Sequence, residues 1–371
     1  MQSVNVERGA ALLGDGAAFL VVGVVGRLGV GKSTLASALC GSGVPAFALR
    51  SLEHVIEARH CTEGVDMFVS ADRVIVLDTQ PILAATLGNG AAGTEQRMLA
   101  WLLAVCHIVV VVSGTSSGVC CSPAAPAASA PVAAEASPAK AGERGARQAA
   151  WQQQAIPRAA PSSSEYVYFG AGQAGATWQA MRVALMLKRG LPCVSVLDKL
   201  SSEERQPLDV AKHPAERCAT AVFAFSKLPF ATIEDWRLAR HAHGIDVVAN
   251  AIAMTFKHTD LLPGSVPARE FEHFADAHDS APNSGAGSTD GVLYVMLPRQ
   301  PKEARDADRV AYNDAIDVFR ATVLSAPRRR FVNAAITERE WWRNAALAWQ
   351  LLAQTKVAKE LAKLCTTQPQ R

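Results

Sequence analysis

Runs of aliphatic residues recur along the chain, and most are continuous rather than alternating with polar residues. Continuous runs rich in valine are typical of strands that are buried on both faces of a parallel sheet. The predicted strands are residues 19–25, 65–69, 74–77, 107–112, 221–225 and 292–297. Apolar residues at helical spacing between and after these runs predict helices at residues 34–40, 178–188, 233–243, 304–325 and 338–364. The pattern therefore predicts an α/β fold, with a mostly parallel sheet flanked by helices.

Two segments lack this pattern. Residues 113–164 are rich in alanine, proline and serine and contain few bulky apolar side chains, so they cannot bury enough surface to offset chain entropy. We predict a disordered insertion there and a second, shorter loop at residues 280–290. The insertion separates residues 1–112 from residues 165–300, and residues 301–371 form a C-terminal helical extension. The last helix opens with a capping box, Thr337 to Glu340.

Composition narrows the class of protein. Apolar residues make up 49% of the 371 residues, which is enough for a sizeable core. The formal charge of +3 arises from 37 basic and 34 acidic residues, a balance that predicts no direct binding of nucleic acid. The eight cysteines form no Cys-x-x-Cys pair, which is typical of reduced intracellular thiols. No apolar stretch approaches the roughly 20 residues of a membrane span. We expect no association with membranes. The expected location is the cytoplasm, and a second location in the nucleus is left open.

The strongest chemical signal is Gly26-x4-Gly31-Lys32-Ser33, which follows a predicted strand and precedes a predicted helix. In that context the pattern predicts a phosphate-binding loop, or P-loop. Glycines let successive N–H groups converge on phosphates, the lysine reaches the β and γ oxygens, and the serine binds Mg²⁺. The predicted binding residues are Gly26, Arg27, Leu28, Gly29, Val30, Gly31, Lys32, Ser33 and Thr34. The alternative is a glycine-rich turn that binds nothing.

A P-loop protein needs an acidic residue at the end of a second strand, and Asp78 supplies it 46 positions after Lys32. Asp78 is predicted to hold Mg²⁺ through water, together with Ser33. Thr62 lies between the two motifs and is predicted as a further metal ligand. The alternatives are an aspartate that only caps a strand and a threonine in an ordinary turn.

Residues after Asp78 differ from those of a signalling GTPase. Such an enzyme places a glycine N–H and then a glutamine beside the γ-phosphate, whereas this chain has Pro81 and Ile82 there. Proline has no N–H to donate, and isoleucine cannot orient water. Gln80 could replace the glutamine only if the loop followed a different path. We therefore expect weak hydrolysis or none.

The base-reading motif is also incomplete. The place of Asn-Lys-x-Asp after the fifth strand reads Ser226-Lys227-Leu228-Pro229, which keeps the lysine and lacks the discriminating acid. Ser226 and Lys227 are predicted to contact the nucleotide, with Lys227 stacking along the base. The expected ligand is a purine nucleoside di- or triphosphate, GDP or GTP or else ATP, with Mg²⁺.

Three stretches resemble one family, the ninth SMG factor of nonsense-mediated mRNA decay. They are the P-loop segment at residues 22–34, the segment at residues 62–83 with its Asp-Thr-Gln-Pro string followed by Cys106-His107-Ile108-Val109, and the C-terminal helix. Thr337-Glu338, Trp341, Ala345-Ala346 and Trp349 stand in that helix at the family's spacing. The resemblance covers about a third of the chain, and residues 113–164 and the Ser226-Lys227 strand end diverge from it.

The resemblance implies a P-loop NTPase fold of the G-domain type and a regulatory role without turnover. It implies pairing with a second G-domain-like subunit, the eighth SMG factor, and binding to a PI3K-related kinase. Two rival hypotheses remain: an active GTPase of the guanylate-binding or dynamin-like kind, and a small-molecule P-loop kinase. Trp341, Trp342 and Trp349 are interpreted as core residues, with anchors for a partner as the alternative.

Overall fold

A computed structural model gives the fold of the chain. It describes residues 6–41, 45–48, 62–83, 91–114, 163–201, 218–228, 244–257, 259–262, 271–272, 286–289, 292–300, 306–329 and 331–355. The strands are β1 (Leu20–Gly26), β2 (Val65–Val69), β3 (Val74–Thr79), β4 (Ile108–Gly114), β5 (Thr220–Leu228), β6 (Phe271–Glu272), β7 (Ala286–Thr289), β8 (Val292–Pro298) and β9 (Arg328–Arg329). The helices are α1 (Val6–Ala10), α2 (Lys32–Leu39), α3 (Ala91–Val105), α4 (Ser163–Lys188), α5 (Gly244–Phe256), α6 (Asp306–Ser325) and α7 (Glu338–Gln354). A 3-10 helix spans Val194–Lys199.

Seven of the described strands form one sheet in the order β2-β3-β1-β4-β5-β8-β7. The inner strands β3, β1, β4, β5 and β8 pair in parallel, and the two edge strands are antiparallel to their neighbours. The valine-rich inner strands are buried because helices cover both faces of the sheet. The predicted α/β class and the six predicted strands are thus confirmed.

Two core layers lie on the two faces of the sheet. On one face, α2 and α6 pack against alternate strand residues such as Val22 and Val76. On the other face, α3, α4, α5, α7 and the 3-10 helix form the larger layer, against the intervening residues such as Val21 and Leu77. Since successive strand residues point to opposite faces, a continuous aliphatic run supplies both layers at once.

Strand order reverses at β1, because β3 and β4 lie on its two sides. Helix α2 follows β1 and packs on one face, whereas α3 leads from β3 to β4 across the other face. In open α/β sheets, ligands bind at the carboxyl ends of the strands where the order reverses. The carboxyl end of β1, at Gly26, is therefore the place where the fold favours a ligand.

The C-terminal helix α7 belongs to the core. Trp341 and Trp349 are fully buried, and the indole Nε1 of Trp341 donates to the Val105 carbonyl over 2.8 Å. Trp342 is also buried and packs against α1 at Gly9. The interpretation of the three tryptophans as core residues is confirmed. The predicted capping box of Thr337 is present as well.

Glu338 joins three parts of the chain at the start of α7. Its carboxylate is fully buried, pairs with Arg73 of the β2–β3 turn, and accepts from the Gly14 backbone N–H over 2.7 Å. The Glu338 N–H donates to the Gly16 carbonyl over 3.1 Å. One carboxylate thereby holds the N-terminal segment and the β2–β3 turn against α7.

The structure corrects several predicted boundaries. The segment predicted as a loop at residues 280–290 contains β7, which pairs with β8 across the sheet edge. Helix α4 begins at Ser163, fifteen residues before the predicted start at Trp178, and β4 runs on to Gly114. The predicted helix at residues 233–243 and most of the predicted insertion, residues 115–162, lie outside the described residues. Within the described residues, no helix combines the length and apolar character needed to cross a bilayer.

Candidate phosphate and metal site

The predicted P-loop connects the carboxyl end of β1 to the start of α2. Gly29 and Gly31 have φ of 76° and 95°, a region that glycine adopts without the steric cost of a Cβ. A Cβ at Gly26 would overlap the backbone carbonyl of Val112 in the neighbouring strand β4. Glycine is therefore required at these positions by the path of the loop and by its close approach to β4.

The N-terminus of α2 opens toward this loop. Gly31 is its N-cap and provides no side-chain hydrogen bond, so no side chain of the N-cap satisfies the first N–H groups of the helix. Uncapped N–H groups together with the helix dipole favour a bound anion. Lys32, the first residue of α2, is buried and donates from Nζ to the Arg27 carbonyl over 3.1 Å. Positive charge and backbone donors therefore share this end of the helix.

Asp78 brings the predicted metal ligands together. Its Oδ2 accepts hydrogen bonds from Ser33 Oγ over 2.7 Å and from Thr62 Oγ1 over 2.9 Å. Its Oδ1 is buried and accepts no hydrogen bond from any described group. Burial raises the pKa of the Asp78 carboxyl, while the two hydroxyls and the charge of Lys32 act in the opposite direction.

This donor set fits a hard divalent cation. Mg²⁺ prefers oxygen ligands and usually retains several waters, with one or two carboxylates and phosphates completing its shell. A buried carboxylate oxygen without a partner is costly, and a cation beside it would remove that cost. Asp78, Ser33 and Thr62 would hold the ion, which would neutralise charge on neighbouring phosphate oxygens.

The segment after Asp78 is buried and contacts the end of β1 through its backbone. Ile82 is fully buried, and its N–H donates to the Gly26 carbonyl over 3.1 Å. Gln80 is buried as well, and its Oε1 accepts from the Gly64 N–H over 2.9 Å. The amide oxygen of Gln80 is therefore occupied within the protein.

Ser226 and Lys227 reach the P-loop from the end of β5. Ser226 Oγ donates to the Val30 carbonyl over 2.5 Å, and Lys227 Nζ donates to the Gly29 carbonyl. Lys227 has φ of 59°, a left-handed conformation that is uncommon for a residue with a Cβ. Both side chains thus contact the P-loop backbone, a role that the prediction of base contact did not include.

Sequence reasoning missed two glycines of the site. Gly114 ends β4, where a Cβ would lie 3.2 Å from Ser226 Oγ and 3.3 Å from Val30 Cβ. Gly64 has φ of 87° and lies opposite the end of β3. Gly114 could have been predicted once the strand order was known, because it is a glycine at the carboxyl end of the strand beside β1.

The sequence is similar to the nonsense-mediated mRNA decay factor SMG9. It is 34% identical to the Xenopus laevis protein over 117 residues, which cover 25% of this chain and 23% of that protein. Identity to the Xenopus tropicalis protein is 33% over 117 residues, with the same two shares, 25% and 23%. Identity to the Salmo salar protein is 30% over 124 residues, 27% of this chain and 25% of that protein. The matched part spans about a quarter of the relatives' length. No protein-family model matches the sequence.

Proposed function

We propose that this chain is a nucleotide-binding subunit with a role in nonsense-mediated mRNA decay, in which the nucleotide supports the fold rather than a hydrolytic cycle. The observation that carries the nucleotide site is the buried, unpartnered Oδ1 of Asp78 beside the hydroxyls of Ser33 and Thr62. The site lies at an uncapped helix N-terminus, at the strand end where sheet order reverses. The similarity to SMG9 supports the pathway.

The fold we propose for the sheet is that of a P-loop NTPase of the G-domain type. The β1–loop–α2 unit, the antiparallel β2–β3 pair and the parallel strands beyond them support this assignment. In this reading Lys32 would contact the β and γ oxygens and the loop N–H groups would bind the phosphates, while Asp78 would hold a Mg²⁺ ion that supplies neutralising charge. The base is guanine or adenine.

Slow or absent hydrolysis follows from what surrounds the phosphate position. Pro81 offers no N–H, and Ile82 is packed in the core instead of orienting water. The remaining candidate, Gln80, has its amide oxygen bound to Gly64. These observations support the proposal of slow hydrolysis, because the positioning of an attacking water is a main part of catalysis in such enzymes.

The partners follow from the similarity alone and are proposed with it. They are a second G-domain-like SMG subunit, which would form a heterodimer with this chain, and a PI3K-related SMG kinase. Recovery of both after affinity purification of the tagged chain from its own cells is the expected result. Absence of both proteins from the purified material would contradict this part of the proposal.

Nucleotide binding is tested on the purified protein. Released nucleotide is identified by chromatography after denaturation, and binding of fluorescent GTP and ATP analogues is titrated for the wild type and for Lys32→Ala. We expect binding that Lys32→Ala weakens at least tenfold, since a buried charge-assisted contact is worth about 1.5–3 kcal/mol. Hydrolysis is followed by phosphate release. Rapid Mg²⁺-dependent turnover that is lost in Lys32→Ala would contradict the structural role and favour an active GTPase.

A further inference from the structure

Gln80 closes a turn at the edge of the candidate metal site. Its backbone N–H donates to the Gly64 carbonyl over 2.7 Å, and its side-chain Oε1 accepts from the Gly64 N–H over 2.9 Å. In a regular antiparallel pair, the backbone carbonyl opposite Gly64 would accept this second hydrogen bond. The Gln80 side chain therefore replaces a backbone acceptor and binds both polar backbone groups of Gly64.

The side chain is needed because the main chain turns away from β2 after Gln80. Pro81 follows with a fixed φ and no N–H, and the next N–H, that of Ile82, donates to Gly26 of the P-loop. Strand pairing between β2 and β3 ends at Val65 and Thr79. Beyond that pair, the hydrogen bonds between Gln80 and Gly64 hold the two chain segments together for one more position.

Thr62 depends on this attachment. Gly64 has φ of 87°, which turns the chain between Thr62 and β2. Thr62 is buried, and its Oγ1 donates to Asp78 Oδ2, the atom that also accepts from Ser33. The turn at residues 62–64 is thus joined to the end of β3 by three hydrogen bonds, two of which involve Gln80.

We propose that Gln80 is a positioning residue for the divalent-cation site and acts by holding the Thr62 hydroxyl at Asp78. The inference rests on the proposed nucleotide site and assigns to Gln80 a task other than orienting water. Loss of its amide oxygen leaves the Gly64 N–H without its acceptor and releases the turn that carries Thr62. The site would then lack one preorganised oxygen ligand for the cation, while the glycine loop and Asp78 remain.

Gln80→Met tests the proposal, because methionine has a similar length and no amide oxygen. For each variant, the Kd of a fluorescent GTP analogue and of a fluorescent ATP analogue is measured with Mg²⁺ and with EDTA. The ratio of the two Kd values reports the contribution of the metal. We expect Gln80→Met to reduce that ratio about fivefold, the equivalent of one hydrogen bond of ~1 kcal/mol. Gln80→Glu keeps an acceptor oxygen, so its ratio of Kd values should be close to that of the wild type. Mn²⁺ binding, followed by electron paramagnetic resonance, should weaken in parallel.

Two further variants separate positioning from general damage. Ser195→Ala removes the acceptor of the Asn333 N–H, a hydrogen bond of 3.0 Å at the 3-10 helix, and should lower stability without changing the Mg²⁺ ratio. Thr62→Val should reduce the ratio as much as Gln80→Met, and the two changes together should add nothing. If Gln80→Met does not fold, Gln80→Asn replaces it, since its shorter amide does not reach Gly64.

The outcomes distinguish the two proposals. If the wild type binds no nucleotide with or without Mg²⁺, the proposed function is wrong and this inference fails with it. If the wild type binds nucleotide and the Mg²⁺ ratio is the same in Gln80→Met, only the inference is wrong. Full additivity of Thr62→Val and Gln80→Met would also overturn it, because independent effects do not pass through one hydroxyl.

Discussion

Lowering the pH should destabilise the protein through His107, which precedes β4. The Nδ1 of His107 accepts from the Val21 N–H over 2.9 Å, so the ring is held neutral within the core. Phe331 lies 4.3 Å and Phe19 5.7 Å from the imidazole, between ring centroids. Burial, and then the charge of Arg328, lower the pKa of His107 to about 3. A proton on this ring would be buried and would remove the acceptor of the Val21 N–H.

The sign and the size of the change in the free energy of unfolding follow from the linkage between folding and protonation of His107. Below pH ~6.5 the unfolded chain takes up a proton at His107 and the folded chain does not, so stability falls as pH falls. The loss is about 1.4 kcal/mol per pH unit, or ~2 kcal/mol at pH ~5 relative to neutral pH. The expected loss of stability changes little as long as the pKa of His107 in the folded protein is well below ~5.

Urea unfolding of the wild type and of His107→Asn, from neutral pH to pH ~5, measures the effect. Asparagine offers an amide oxygen near the position of Nδ1 and does not titrate in this range. We expect the variant to be less stable at neutral pH, because it loses ring packing, and the gap to close by ~2 kcal/mol at pH ~5. A gap that is constant with pH would refute the buried neutral state of His107.

Two more changes test local packing, the first at the candidate site and the second at the start of α7, beside the amino ends of β1 and β3. Gly26→Ala should abolish nucleotide retention and lower the midpoint of thermal unfolding, because the new Cβ overlaps the Val112 carbonyl; unchanged retention would contradict the described approach of the loop to β4. Glu338→Gln should cost about 2 kcal/mol in urea unfolding, less than the ~3–5 kcal/mol of a fully buried pair, because Arg73 is partly exposed. Asp15→Ala, which breaks an exposed ion pair, is the control and should cost below ~1 kcal/mol.

The local pattern was enough to predict most elements of the sheet. The strand, glycine loop and helix around Lys32 could be predicted because each depends on neighbouring residues: buried valines, glycines with positive φ, and a helix start. The capping box at Thr337 is a local signal of the same kind. Strand β7 was missed because its glycine and serine residues carry no strand propensity, and its pairing with β8 decides its conformation.

The candidate site could be predicted in part. The residue types at Lys32, Ser33 and Asp78 were predicted from a spacing that a phosphate site would require, and the structure brings Ser33 and Asp78 within hydrogen-bond distance. Thr62 could be proposed but not placed, since an ordinary turn has the same local sequence. Its position depends on the pairing of β2 with β3 and on the turn at Gly64, which together bring its hydroxyl to Asp78, 16 positions along the chain.

The sequence by itself determined the chemistry available at the end of β1: a glycine loop, a lysine, a hydroxyl and a carboxylate at the end of another strand. Only the tertiary structure decided that Gln80 binds Gly64, and that Ser226 and Lys227 contact the backbone of the glycine loop after β1. The physical reason is distance along the chain. Residue type and short-range spacing set local backbone preference, whereas contacts across 16 to 198 positions exist only once strand order and register bring their elements together.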